Sequence, residues 1–203
     1  ESFAIDRNRI AVAGHSAGAF LTLLGGYVLE PRPVALISMA GYGRLTHAEF
    51  EKPSPYYVQK HLEAKEREAR RAVGETALSE SGPNDSMHNF SGRGLFYLYC
   101  RQQGVWLHEV SGHIPGDHEW FSRYEPIQNV TKTYPPTLLL HGEADTDVPY
   151  DQSVLMQREL SRQGVAHELV SNPDWGHAFI YFPNDPTVDK AFQQIIAFIR
   201  NHM

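Results

Sequence analysis

Ile10-Ala11-Val12-Ala13-Gly14-His15-Ser16-Ala17-Gly18 is the stretch from which the rest of this chain is read. Its first four residues are a short apolar run, the pattern of a buried strand. They lead directly into Gly-x-Ser-x-Gly, and a helix-compatible run follows, Ala17-Gly18-Ala19-Phe20-Leu21-Thr22-Leu23-Leu24. Strand, tight turn and helix in that order describe a nucleophile elbow, a sharp turn that lifts a serine hydroxyl clear of a sheet. Gly14 and Gly18 are expected to remove side chains that would collide as the helix doubles back over the strand. By itself the pentapeptide is common, and a glycine-rich turn with an incidental serine is the bland alternative.

Two later segments supply what such a serine needs. Pro135-Pro136-Thr137-Leu138-Leu139-Leu140-His141-Gly142 is a breaker followed by a buried-strand pattern, and Glu143, Asp145 and Asp147 precede Val148-Pro149. Further on, the strand-like Ala166-His167-Glu168-Leu169-Val170 is followed by Trp175-Gly176-His177-Ala178-Phe179. An unactivated serine hydroxyl is a poor nucleophile at neutral pH. It needs a histidine to take its proton and an acid to orient that histidine. The order serine, aspartate, histidine, each on a loop at a strand's C-terminal end, is present here.

These segments together resemble the α/β-hydrolases, in particular the branch of prolyl-oligopeptidase-like and dienelactone-hydrolase-like esterases and peptidases. In that branch His-Gly-x-x-Asp-x-x-Val-Pro carries the acid at its first aspartate, which maps onto Asp145, with Asp147 as the alternative. The hormone-sensitive-lipase branch, whose acid motif is Asp-Pro-Leu-x-Asp, is less similar. The resemblance implies an α/β class, parallel-sheet fold and a serine hydrolase cleaving carboxylic esters through an acyl-enzyme on Ser16. His177 would be the base, Asp145 the acid, and the Ala17 N–H one oxyanion donor; no metal or organic cofactor is implied. An oligopeptidase or amidase of the same fold is the second reading, and a non-catalytic binding member the third.

In this fold the elbow follows the fifth of eight strands, whereas here it falls at residue 14. The expectation is therefore the C-terminal half of the fold, strands five to eight, with an N-terminal segment of the same protein supplying the other oxyanion donor. A minimal hydrolase is the rival, and it would leave residues 10–13 as an exposed apolar sheet edge.

Composition narrows the partners. With 203 residues, 41% hydrophobic, the chain can bury a substantial core. A net charge of −6 disfavours nucleic acid and anionic membrane surfaces. No apolar run approaches the roughly 20 residues of a membrane span. A small-molecule ester is the expected partner. The single cysteine, Cys100, rules out an intrachain disulfide and leaves the compartment open, with the cytoplasm slightly favoured.

Strands are expected at 9–13, 34–38, 137–141 and 166–170, with helices after the elbow, at 151–163 with Gly164 as stop, and at the end of the chain. Asp185 should cap the last helix and Pro186 suits its first turn. Val188, Ala191, Phe192, Ile195, Ile196 and Ile199 form its apolar stripe. Residues 1–41 and 126–203 are read as the hydrolase core and 42–125 as a cap or lid insertion. Within that insertion a helix is expected over 56–73, with Glu63/Arg67 and Glu66/Arg70 paired on a solvated face. Residues 75–91 read as a mobile loop, and the run from Leu95 to Cys100, with Trp106 and Leu107, as apolar helix that packs on the core or lines a pocket. His108, His113 and His118 share no helical face, which disfavours a metal site. His141 and His15 are expected to be structural, and His167 to lie within a strand.

Overall fold

The computed structural model describes residues 5–60, 63–74, 92–182 and 184–203. In chain order it contains β1 (Ala11–His15), α1 (Ala17–Val28), β2 (Ala35–Met39), α2 (Pro55–Val58), α3 (Glu66–Val73), α4 (Arg93–Gln103), α5 (Trp106–Ser111), α6 (His118–Tyr124), α7 (Pro126–Asn129), β3 (Thr137–Gly142), α8 (Asp151–Gln163), β4 (His167–Asn172) and α9 (Pro186–His202). Two compact units divide the chain: Glu1–Arg44 with Phe121–Met203, and Leu45–Trp120.

The four strands of the first unit form a parallel sheet in the order β1-β2-β3-β4. Ala11 pairs with Ala35, Ile37 with Leu138, and Leu138 with Glu168, so the strands advance in one register. Parallel strands need long return connections, and helices supply them, burying both faces of the central strands. Alternation along those strands assigns the side chains. Ile37, Leu138 and Leu140 point into one core with Trp175, Phe179, Val188, Ala191 and Phe198. Leu36 and Leu139 point into the other, with Leu23, Tyr134, Met156 and Leu160. Each such buried aliphatic side chain contributes about 2 kcal/mol. All four strands end one or two residues beyond the expected 9–13, 34–38, 137–141 and 166–170. The ladder carries them through Gly142 and Asn172, two positions without apolar character.

Local signals set the helix ends. Helix α8 stops where Gly164 takes up a left-handed φ of 70°. Ahead of α9, the Asp185 carboxylate accepts from the Thr187 N–H at 2.8 Å, with Pro186 at the first helical position. The apolar stripe of α9 differs from the expected one. Val188, Ala191 and Phe198 are buried, with Ile195 and Ile199 packed beside them, whereas Phe192 and Ile196 are each 42% exposed. Apolar residues wrap too far round this helix for one sheet face to cover them all.

In the second unit, the single helix expected over 56–73 is instead α2 and α3. Gln102 bridges the break: its Oε1 accepts from the Ala64 N–H at 3.0 Å and its Nε2 donates to the Tyr57 carbonyl at 3.0 Å. The Ala64 N–H is thereby withdrawn from helical pairing, while the Tyr57 carbonyl shares the Gln102 amide with the Lys60 N–H, at 3.2 Å, in a tight turn that closes α2. Glu63 falls before α3, so it does not share a helix with Arg67. Arg70 does pair with Glu66, at 2.9 Å, and also with Glu109, at 2.6 Å. Nearby, Arg101 is buried with its guanidinium 5.3 Å from the Tyr57 ring. The run from Leu95 to Cys100 lies within α4, and Gly104, at a φ of 70°, separates it from the α5 residues Trp106 and Leu107. The segment 75–91 lies outside the described residues.

Among the described residues no helix is long and apolar enough to cross a membrane. Nor does any group of three or more His, Cys, Asp or Glu side chains among them stand ready to hold a metal ion. His113 bonds to Asp117 through Nδ1 at 2.9 Å and stacks on Trp120, and His108 Nδ1 lies 3.2 Å from the His113 carbonyl.

Candidate active site

Ser16 stands between the end of β1 and the start of α1 with φ 55° and ψ −120°, a conformation that a side chain disfavours. Such backbone strain costs about 1–3 kcal/mol and persists only where neighbours hold it. Here the Ser16 N–H donates to the Met39 carbonyl at 2.9 Å, and the Ser16 carbonyl accepts from the Ala19 and Phe20 N–H groups. Gly14 is required by the turn: a Cβ there would lie 2.2 Å from the Gly18 carbonyl oxygen. The expectation for Gly18 fails, because a Cβ at that position meets nothing within 4 Å. It is the backbone of Gly18, not its missing side chain, that makes the turn tight.

Asp145 follows β3, in a turn fastened from within. Its Oδ1 accepts from the backbone N–H groups of Asp147, at 2.8 Å, and Val148, at 2.9 Å. His177 lies in the segment after β4. That segment meets the β3 loop where the Ala144 N–H donates to the Trp175 carbonyl. Gly142 permits the contact, since a Cβ on it would fall 2.0 Å from the Trp175 oxygen.

These three elements bring Ser16, His177 and Asp145 together. His177 Nδ1 is 2.8 Å from Asp145 Oδ2, and His177 Nε2 is 2.9 Å from Ser16 Oγ. With the proton on Nδ1 donated to the carboxylate, Nε2 is left as an acceptor for the serine hydroxyl. A hydroxyl, imidazole and carboxylate connected in this way can move a proton from Oγ to Nε2 while the carboxylate balances the resulting charge. Asp147 is placed differently: its Oδ2 lies 3.6 Å from His177 Nε2, on the serine side of the ring. Ala17 is the first residue of α1 and is exposed; its N–H belongs to the helix terminus, where backbone donors have no intrahelical acceptor.

The Asp145 side chain is fully buried. Burial alone would push its carboxyl up, but hydrogen bonds from His141 and His177, with the nearby His177 charge and the Asp147 N–H, hold it well below the usual carboxylate range. It is ionised at neutral pH.

Two histidines beside the site have roles that local sequence did not reveal. His141, at the end of β3, is fully buried; its Nε2 lies 3.2 Å from Asp145 Oδ2 and 3.1 Å from the Val148 carbonyl. Its Nδ1 is 2.7 Å from Ser153 Oγ. The spacing of four residues between His141 and Asp145 is the one trace of this in the sequence. His15 donates through Nε2 to the His177 carbonyl at 2.8 Å, and its ring lies 5.0 Å from that of His177. Burial lowers the His15 pKa, which favours the neutral ring. His167 lies in β4, tied to Ser161 and the Val165 carbonyl. Of the aromatic residues near His177, Trp175 and Phe179 stack in the core, Tyr181 meets the His15 ring edge-on, and Phe182 is exposed.

The sheet, the elbow and the loop order define a serine-hydrolase-type α/β-hydrolase fold. Residues 97–203, just over half the chain, match the model of the prolyl oligopeptidase family, and the chain belongs to that family. No curated protein matches it. Among solved structures it is similar to a protein of unknown function from Staphylococcus aureus subsp. aureus Mu50, at 22% identity and a TM-score of 0.76, covering 95% of this chain and 64% of that one. It is also similar to the Pyrococcus horikoshii acylaminoacyl peptidase, at 17% identity and a TM-score of 0.65, covering 97% of this chain and 24% of that one. A third is the acetyl ester-xyloside bifunctional hydrolase from Caldicellulosiruptor lactoaceticus, at 20% identity and a TM-score of 0.53, covering 96% of this chain and 59% of that one. The chain thus spans less than two thirds of each of these proteins.

Proposed function

We propose that this protein hydrolyses carboxylic esters with Ser16 as nucleophile, His177 as general base and acid, and Asp145 as the orienting carboxylate. The observation that carries the reading is the unbroken line from Ser16 Oγ through the His177 ring to Asp145 Oδ2, with links of 2.9 and 2.8 Å. Ser16 Oγ attacks the ester carbonyl carbon as its proton passes to His177 Nε2. The tetrahedral oxyanion takes a hydrogen bond from the Ala17 N–H. Collapse expels the alcohol, which receives the proton from His177, and leaves the acyl group on Ser16. Water then attacks the acyl carbon, giving its proton to His177, and the acid departs as Ser16 Oγ recovers a proton. None of these steps calls for a metal or organic cofactor.

Hydrolysis of a peptide or other amide is the second reading, favoured by membership of the prolyl oligopeptidase family. It uses the same groups but must protonate a poorer leaving group. Rapid labelling by a fluorophosphonate probe, lost in Ser16→Ala, tests the nucleophile. Turnover of p-nitrophenyl acetate against a peptide p-nitroanilide then tests the substrate class. Failure of the intact chain to label overturns the assignment of Ser16; faster cleavage of the anilide overturns the ester reading.

A further inference from the structure

Asp145 Oδ2 is shared. His177 Nδ1 approaches this one oxygen of a fully buried carboxylate at 2.8 Å, and His141 Nε2 approaches it at 3.2 Å. The tautomer of His141 follows from its surroundings. Both groups facing Nε2, the carboxylate and the Val148 carbonyl, are acceptors only, so Nε2 carries the proton. In the neutral ring Nδ1 is then a lone pair, and it accepts the Ser153 hydroxyl proton at 2.7 Å. A directed line of donors results. Ser153 Oγ–H donates to His141, whose single Nε2–H is shared between the Val148 carbonyl, at 3.1 Å, and Asp145 Oδ2, at 3.2 Å; Oδ2 also accepts from His177.

We infer that His141, held by Ser153, is a positioning residue for the reaction: its Nε2–H aims Asp145 Oδ2 at His177 and takes up part of the charge that Oδ2 presents to that ring. The inference rests on the proposed roles of Ser16, His177 and Asp145. His141 is fully buried and Ser153 is 2% exposed, which keeps them from touching substrate. Their influence passes through the carboxylate.

A packing role and a positioning role differ in what they do to His177. If His141 shares the charge on Oδ2, removing its donor concentrates that charge on the bond to His177 and stabilises the imidazolium. The titration midpoint of His177 then moves to higher pH. If His141 only fills space, its loss weakens the fold and leaves the midpoint where it was. Among the described residues, the titratable groups facing this cluster include His15 at the end of β1, Asp147 on the same loop as Asp145, and Tyr150, whose ring meets that of His141 edge-on. They are left unchanged in every variant.

The experiment uses the full chain labelled with 15N-histidine, the His177 signals being assigned by their loss in His177→Gln. In His141→Leu the His177 midpoint is expected to rise by about one pH unit, the effect of a single hydrogen bond to a charged group. Fluorophosphonate labelling of Ser16 should slow by about tenfold or more as the ring loses its aim. His141→Gln, whose side-chain N–H reaches the Nε2 position, should restore both. Ser153→Ala should move both in the same direction by less, and Ser153→Thr should not. An unmoved midpoint in His141→Leu, or a Gln variant no better than Leu, overturns the inference. If the Leu variant does not fold, the Ser153 pair decides by the same midpoint. Lack of labelling in the unmutated chain would sink the proposed function, while the titration still reports on His141.

Discussion

Exchanging Asp145 for asparagine tests the site most directly, because the two side chains have the same shape and differ in what they offer His177. The asparagine can keep its oxygen on the Asp147 and Val148 N–H groups, which now hold Oδ1 at 2.8 and 2.9 Å. Its amide N–H₂ then replaces Oδ2 and points donors at His177 Nδ1 and His141 Nε2. His177 answers by moving its proton to Nε2, where it meets the serine hydroxyl as a donor and can no longer accept. Turnover should fall by about four orders of magnitude, or about 5.5 kcal/mol of barrier. Asp147→Asn is the control. Asp147 Oδ2 lies 3.6 Å from Nε2, beyond ordinary hydrogen-bond length to that nitrogen and on the opposite side of the ring from Nδ1, where Asp145 sets the tautomer. At that distance its attraction for the ring is about 1 kcal/mol at the screening of bulk water and more where screening is weaker. A loss of about ten- to a hundredfold is expected. Steady-state turnover of p-nitrophenyl acetate by both variants, with circular dichroism to verify folding, gives the ranking. A folded Asp145→Asn that keeps more activity than Asp147→Asn would refute the assignment of the carboxylate.

Three further expectations concern the fold that carries the site. Asp145 and His15 both have folded pKa values below their ordinary ones, so the stability each contributes is present above its unfolded pKa, about 4 and about 6.5, and is lost as pH falls below it. Urea midpoints should therefore decline from about pH 6.5 downward and more steeply below about pH 4; a His15→Gln variant with the same upper decline would count against His15. Gly14→Ala, with its Cβ 2.2 Å from a carbonyl oxygen, should cost about 3 kcal/mol or prevent folding, whereas Gly18→Ala, facing open space in a helix, should raise the melting temperature by a degree or two. Equal effects in thermal melts would show the turn to be looser than described. Gln102→Leu strands the Ala64 N–H and takes one of two donors from the Tyr57 carbonyl, which keeps the Lys60 N–H; it should cost about 1–3 kcal/mol, seen as a lower urea midpoint, and no change would mean that the Ala64 N–H finds another partner.

Short-range chemistry makes much of this protein legible from its sequence. The elbow, α8 with its Gly164 stop and α9 with its Asp185-Pro186 start are each encoded within a few residues, because caps, left-handed glycines and proline act over one turn of chain. The buried runs of β2 and β3 announce a parallel sheet for a similar reason, since strands covered on both faces cannot alternate. Other features depend on groups far apart in the chain. No pattern within 55–73 reveals that Gln102, from α4, bonds to the Tyr57 carbonyl and the Ala64 N–H on either side of the break between α2 and α3. The buried stripe of α9 is narrower than its apolar pattern, because sequence shows which residues are apolar, not how far round a helix the neighbouring sheet reaches. Asp145 and Asp147 sit two residues apart in an acidic loop; what separates them is that the turn points one at Nδ1 and the other toward Nε2. Sequence by itself determined the fold class and the residue types available for chemistry, because both follow from local patterns of apolarity and turn formation. Only the tertiary structure brought Ser16 within 2.9 Å of a histidine 161 residues away and set a second histidine behind Asp145, because hydrogen-bond geometry is decided where strand ends converge.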